Sequence, residues 1–91
     1  MGRAARDILV TGAVQGVGFR WTAKRIADGL GAAGWVRNNP GGSVSLAVEG
    51  GPEDVEAFVR DLDEAMGMHI AAMECRTTQP GKYRDGFDVI H

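Results

Sequence analysis

A single cysteine in 91 residues, Cys75, excludes an internal disulfide, so nothing in the chain asks for an oxidising compartment. Histidine is as scarce. His69 and His91 stand alone, with no second histidine or cysteine at metal-ligand spacing, and no metal site is expected. An excess of charge of one sign is missing too: ten basic side chains meet twelve acidic ones for a net charge of −2, which argues against a nucleic-acid binder working by phosphate neutralisation. No apolar run approaches the roughly 20 residues that span a bilayer. The run Ile8-Leu9-Val10 is interrupted by Thr11 and Gly12, too soon for a signal peptide. At this length two separate cores would be too small, so one soluble cytoplasmic domain over residues 1–91 is the expectation, with no membrane partner. Glycine is what the chain has in excess, 14 residues and about twice the average usage, which predicts several tight turns.

The apolar patterning divides the chain into six elements and a short seventh. Arg6 to Val14 reads as a strand with an almost continuous apolar core, suited to a central place in a sheet. Phe19, Ala23, Ile26, Ala27 and Leu30 recur at spacings of three and four, predicting an amphipathic helix that stops at Gly31. Gly34 to Asn38 and Ser43 to Glu49 read as two strands of a hairpin around Asn39-Pro40-Gly41-Gly42, the second with Val44, Leu46 and Val48 inside and its other face wet. Pro52, Glu53 and Asp54 suit the first turn of a second helix, striped by Val55, Phe58, Val59, Leu62 and Met66. Ile70 to Thr77 is a weaker strand, and Gly86 to Ile90 closes the chain as a short one. This order is the ferredoxin-like split βαβ arrangement, α+β, an antiparallel sheet with two helices on one face. The same architecture serves enzymes, RNA binders and regulatory modules, so function has to come from a site.

The candidate site is the stretch Val14-Gln15-Gly16-Val17-Gly18-Phe19-Arg20, a glycine-bearing turn between the end of a strand and the start of a helix. Such a turn aims several backbone N–H groups at one spot, and the positive end of the helix dipole adds to them. A nucleotide-binding loop would need Gly-Lys-Ser/Thr here, but Gly18 is followed by Phe19-Arg20; a dinucleotide fingerprint would need glycines spaced differently from Gly12, Gly16 and Gly18. What remains is an anion nest with an arginine able to grip a phosphate bidentately.

Val10, Gly12 and Val14-Gln15-Gly16-Val17-Gly18-Phe19-Arg20, followed by Gly34-Trp35-Val36-Arg37-Asn38, closely resemble the acylphosphatase family. The likeness extends to Leu30-Gly31, Asn39-Pro40-Gly41-Gly42, Val48-Glu49-Gly50 and Gly86-Phe87, and so covers nearly the whole chain. It departs in Met66 to Met73, where the proline common at the start of the family's fourth strand is missing. The resemblance implies a small metal-independent hydrolase, without cofactor, that cleaves an acyl phosphate to a carboxylate and inorganic phosphate. It also implies that Arg20 binds the phosphoryl group, with the backbone of Gln15, Gly16, Val17, Gly18 and Phe19, and that Asn38 positions the attacking water.

The chemistry is consistent with those roles. A carboxylate leaving group of pKa about 4 to 5 departs without a proton donor, so no general acid is required. Charge in the loose transition state spreads over the equatorial oxygens, where fixed dipoles and a guanidinium act on it. An amide both donates and accepts hydrogen bonds, which suits it to orienting water. Arg37, by strand alternation, belongs to the opposite face from Asn38. Gln15 is open between bracing the loop and simple exposure, while Trp21 and Trp35 are expected to pack on the sheet rather than line the pocket mouth. The carboxylates of the second helix are expected to be solvated. The alternative from another class is a non-catalytic phosphate-binding or interaction module, since a similar domain begins the large hydrogenase-maturation carbamoyltransferases. A chain ending at His91 favours the free-standing enzyme, expected as a monomer. RNA binding would call for aromatic residues on a central strand, and Ser43 to Val48 has none.

Overall fold

The structure, a computed structural model, describes residues 2–91. The elements are β1 (Ala4–Gly12), α1 (Phe19–Leu30), β2 (Ala33–Asn38), β3 (Val44–Gly50), α2 (Pro52–Met66), β4 (Ile70–Thr78) and β5 (Phe87–Ile90), with one 3-10 turn at Gly67–His69. The sheet order is β4-β1-β3-β2-β5, which places β1 and β3 in the middle. β1 pairs antiparallel with both β3 and β4, and β2 antiparallel with β3. The sheet is mixed rather than wholly antiparallel, because β5 lies parallel to β2, with Gly34 opposite Phe87 and Val36 opposite Val89. α2 and β4 intervene between β3 and β5, and that length of chain lets β5 return to the free edge of β2 in the same direction.

Both helices cover one face of the sheet. Ile8 and Val10 of β1, Leu46 and Val48 of β3, and Val36 of β2 meet Phe19, Ala23 and Ala27 of α1 and Val55, Phe58 and Leu62 of α2 in one buried core. Phe58 and Phe87 stack at a tilt with ring centroids 5.7 Å apart, tying α2 to the edge strand β5. At these burials each large apolar side chain contributes about 1.5–3 kcal/mol, so the helices are held by their stripes rather than by propensity. α1 ends as its sequence predicts: Gly31 adopts φ 69°, and the cap N–H groups reach the carbonyls of Ala27 and Asp28.

Three features differ from expectation. β1 begins and ends two residues early, because Val14 leaves the sheet and plugs the core from the loop with no exposed surface. The second face of β3 is not wet throughout: Ala47 and Glu49 are buried. Glu49 accepts N–H groups from Gly81, Lys82 and Tyr83 and the Nε–H of Arg3, so the β4–β5 connection is pinned down over that face. Trp35 adds a second anchor there, donating its indole N–H to the Tyr83 hydroxyl at 2.8 Å. Finally, the 3-10 turn stands where the family's usual proline is missing, and β1 and β4 skip a register step between Thr11 and Gly12. Gly12 fits that step because a Cβ would meet the His69 carbonyl.

Candidate active site

The loop from Ala13 to Gly18 carries the chain from the end of β1 to the first turn of α1. Gly16 and Gly18 both hold left-handed conformations, φ 77° and 78°, on either side of Val17, which does not. That alternation curls successive backbone N–H groups towards one point, the geometry of an anion nest. Gly18 is the N-cap of α1, and no side chain caps the helix. Among the described residues no acceptor takes the N–H groups of Gly16 to Arg20, so the loop and the positive end of α1 present free donors together.

These donors face a cavity of about 260 Å³ lined by Val14, Gly16, Gly18, Phe19, Arg20, Trp21 and Asn38. Arg20 and Asn38 therefore meet at one pocket, although eighteen residues of sequence separate them. Asn38 ends β2 on the helix-covered face, next but one to the buried Val36, while Arg37 points the other way and lies over the Trp35 ring at 5.2 Å. The Oδ1 atom of Asn38 is buried and has no hydrogen-bond partner. An unsatisfied buried carbonyl costs about 1–3 kcal/mol, so an acceptor left in this state points to a site rather than to a structural contact.

Arg20 is half-buried on the first turn of α1. Its Nη1 lies 3.4 Å from the Ile90 carbonyl, which accepts from it, and 3.5 Å from Nδ1 of His91. No other cation lines the pocket. Lys24, one turn further along α1, is committed elsewhere: its ammonium donates to the Phe87 carbonyl at 2.8 Å and pairs with Asp28 at 3.1 Å. The guanidinium is thus the one fixed charge at the nest.

Gln15 and Val17 do not line the cavity. Gln15 turns its side chain to the β2–β3 hairpin, where Nε2 donates to the carbonyls of Asn39 and Ser43 at 2.8 and 2.9 Å. Bracing is therefore what its side chain does, while it stays exposed. The hairpin is itself tied off by Asn39, whose Nδ2 donates to the hydroxyls of Ser43 and Ser45. Gln15 joins the nest to the end of the strand that carries Asn38. Trp35 packs on the sheet as expected, but Trp21 does not: it lines the pocket and is 56% exposed. The contact of Ile90 and His91 with Arg20 spans some 70 residues and leaves no trace in the sequence pattern.

A larger groove, about 850 Å³, lies on the sheet face away from the helices, among Asp7, Leu9, Trp35, Glu74, Lys82 and Tyr83. Its mixed charges converge on no free donors. Among the described residues no three His, Cys, Asp or Glu side chains come together, and no helix is long and apolar enough to cross a membrane. Of the α2 carboxylates, Glu53, Glu56, Asp63 and Glu64 are exposed, as expected.

A family model described as acylphosphatase matches residues 6–89. An acylphosphatase from Thermococcus kodakarensis is 51% identical over 91 residues, covering 99% of this chain and 99% of the relative. One from a Nocardioides strain is 62% identical over 58 residues, which span 64% of this chain and 59% of that relative. The crystal structure of acylphosphatase from Bacillus subtilis superposes with a TM-score of 0.89 at 27% identity, over 97% of this chain and 99% of that one.

Proposed function

The chain belongs to the acylphosphatase family, and its activity is hydrolysis of the carboxyl–phosphate bond of an acyl phosphate; we propose that it does so with the nest, Arg20 and Asn38 alone. The observation that carries this reading is the buried, unpartnered Oδ1 of Asn38 opening onto the same small cavity as the free N–H groups of the Gly16–Arg20 loop. A phosphoryl group seated in the nest has its equatorial oxygens towards those N–H groups and the Arg20 guanidinium. Negative charge that spreads over these oxygens in the transition state is then met by dipoles already in place. A water donating to Asn38 Oδ1 is held beside the phosphorus with its lone pair free to attack.

The P–O bond to the acyl group breaks, the carboxylate leaves with the electron pair, and the attacking water loses its proton to solvent. The leaving carboxylate is stable at neutral pH, so the site has no need of an acid, a metal or another cofactor. The products are the free acid and inorganic phosphate. One chain supplies both halves of the site, which supports action as a monomer in the cytoplasm. Nucleic acid is not a partner on this reading: the open face of β1 carries Asp7, and that of β3 has no aromatic residue on which a base could stack.

The test is steady-state hydrolysis of acetyl phosphate with chelator present, for the wild type and Arg20→Ala. The wild type is expected to turn over in chelator, and the variant to lose at least about 10²-fold, as for loss of one charge-stabilising donor. Phosphate binding without turnover would move the protein to the non-catalytic module, and activity abolished by chelator would refute the metal-free mechanism.

A further inference from the structure

The phosphoryl group accounts for the floor of the cavity but not for its rim. Trp21 follows Arg20 on the first turn of α1, lines the cavity, and is 56% exposed; Val17, at the tip of the nest, is 39% exposed. Large apolar side chains left in water beside an anion site are unfavourable for the free protein, and neither packs into the core. The indole is held near His91, with ring centroids 6.4 Å apart and planes tilted by 49°. It therefore offers a ring beside the point where an acyl phosphate bound in the nest must extend outward.

We propose that Trp21 is a platform for the acyl group, and that the site selects acyl phosphates whose acyl group is uncharged and aromatic. This rests on the phosphoryl reading of the nest, and the lining decides the class. The face of an indole carries negative electrostatic potential, which disfavours a carboxylate-bearing acyl group and favours the edge or offset face of another ring. A cationic acyl group would meet the Arg20 guanidinium on the same rim, with no acidic side chain lining the cavity to offset the repulsion. A ring larger than the cavity's remaining space has Trp21, and beyond it Val17, to lie against. An acetyl group is too short to use either.

Trp21 is thus a specificity-determining residue, and its test is a comparison of two substrates. The wild type, Trp21→Ala, Trp21→Phe and Arg20→Ala are assayed on acetyl phosphate and benzoyl phosphate, with thermal unfolding of each variant as a check on folding. The wild type is expected to show a lower KM for benzoyl phosphate. Trp21→Ala should raise the benzoyl KM relative to the acetyl KM by about 3- to 10-fold, the size of one aromatic contact, with the loss in KM rather than kcat. Trp21→Phe should restore most of the preference, and Arg20→Ala should depress both substrates alike. If acetyl phosphate is hydrolysed but Trp21→Ala leaves the ratio of the two KM values unchanged, the platform is refuted and the nest stands. Should the wild type hydrolyse neither substrate, the phosphoryl reading falls and the platform with it.

Discussion

Asn38→Ala separates a site residue from a structural one, because the two roles give opposite signs in stability. In the folded chain Oδ1 of Asn38 is buried without a partner. Leaving such an acceptor unsatisfied costs about 1–3 kcal/mol, of which a water held in the adjoining cavity returns part. Truncation to alanine removes the acceptor and opens no space in the apolar core, since Asn38 lies at the cavity and not among the core residues. The variant is therefore expected to range from equal in stability to about 2 kcal/mol more stable, with each kcal/mol moving Tm by about 4–8 °C for a domain of this size. Activity should go the other way. Loss of the group that orients the nucleophile should cost kcat/KM about 10²-fold or more, or about 2.7 kcal/mol of transition-state stabilisation. Asn38→Asp, which keeps the shape but sets a negative charge beside the phosphoryl group, should fall at least as far. Urea unfolding at neutral pH and steady-state kinetics on acetyl phosphate measure the two effects. A variant destabilised by more than about 1 kcal/mol, or one that keeps activity within about threefold, would refute the assignment of Asn38 to the nucleophile.

Two further outcomes concern the frame. Burial pushes the Glu49 carboxyl up, but the N–H groups of Gly81 and Tyr83 and the Arg3 guanidinium outweigh it and hold it below the usual carboxylate value. Its contribution is present in full above the unfolded value of about 4.3 and is lost as pH falls through the lower folded value; urea titrations at pH 7 and pH 3 should show a wild type that loses more stability on acidification than Glu49→Gln, and parallel losses would refute the pinning role. At Gly34 a Cβ would collide with the Ala47 carbonyl, in addition to the strain of φ 140°, whereas at Gly31 nothing lies within 4 Å. Gly34→Ala should therefore cost at least about 2 kcal/mol and Gly31→Ala about 1–2, the cost of φ alone; equal losses in thermal unfolding would show that the close approach of β2 to β3 is not what requires Gly34.

The nest was legible because its chemistry is local. Gly16, Gly18 and the start of α1 are adjacent in sequence, and their conformations follow from glycine and from the helix N-terminus. Asn38 was legible as a site residue through the family resemblance, and strand alternation separated it from Arg37. What could not be read depends on which distant segments come to lie side by side. Glu49 looks like a solvent-facing strand residue until the 81–83 backbone closes over it, and an acidic side chain in an alternating pattern gives no sign of such a cover. Val14 continues an apolar run and so reads as strand, yet it leaves the sheet to fill the core beneath the loop. The parallel seat of β5 beside β2 depends on which edge remains free, and four residues of strand carry no pattern for that. Trp21 was misplaced for a related reason: tryptophan usually packs, and its exposure here reflects its place beside a cavity.

The two halves of the site are set on elements of different kinds, and the contacts between them explain how their spacing is kept. Arg20 rides on α1, whose stripe is fixed in the core by Phe19, Ala23 and Ala27 and whose outer edge is tied to β5 through Lys24. Asn38 stands at the end of β2, held between β3 and β5. A glycine-rich loop between these elements would be the softest part of the molecule, because glycine gives up the most conformational freedom on ordering. Gln15 counters that by bonding two carbonyls of the hairpin that follows Asn38, so the nest is fastened to the strand end that it must face. A reaction that relies on dipoles fixed in advance needs this kind of fastening, since donors that reorient at the moment of reaction lose part of what they contribute. The free N–H groups and the unpartnered amide oxygen are each unfavourable for a folded chain by itself. Their retention side by side, on elements braced against each other, is what a site built for a transition state requires and what a stable scaffold alone would not keep.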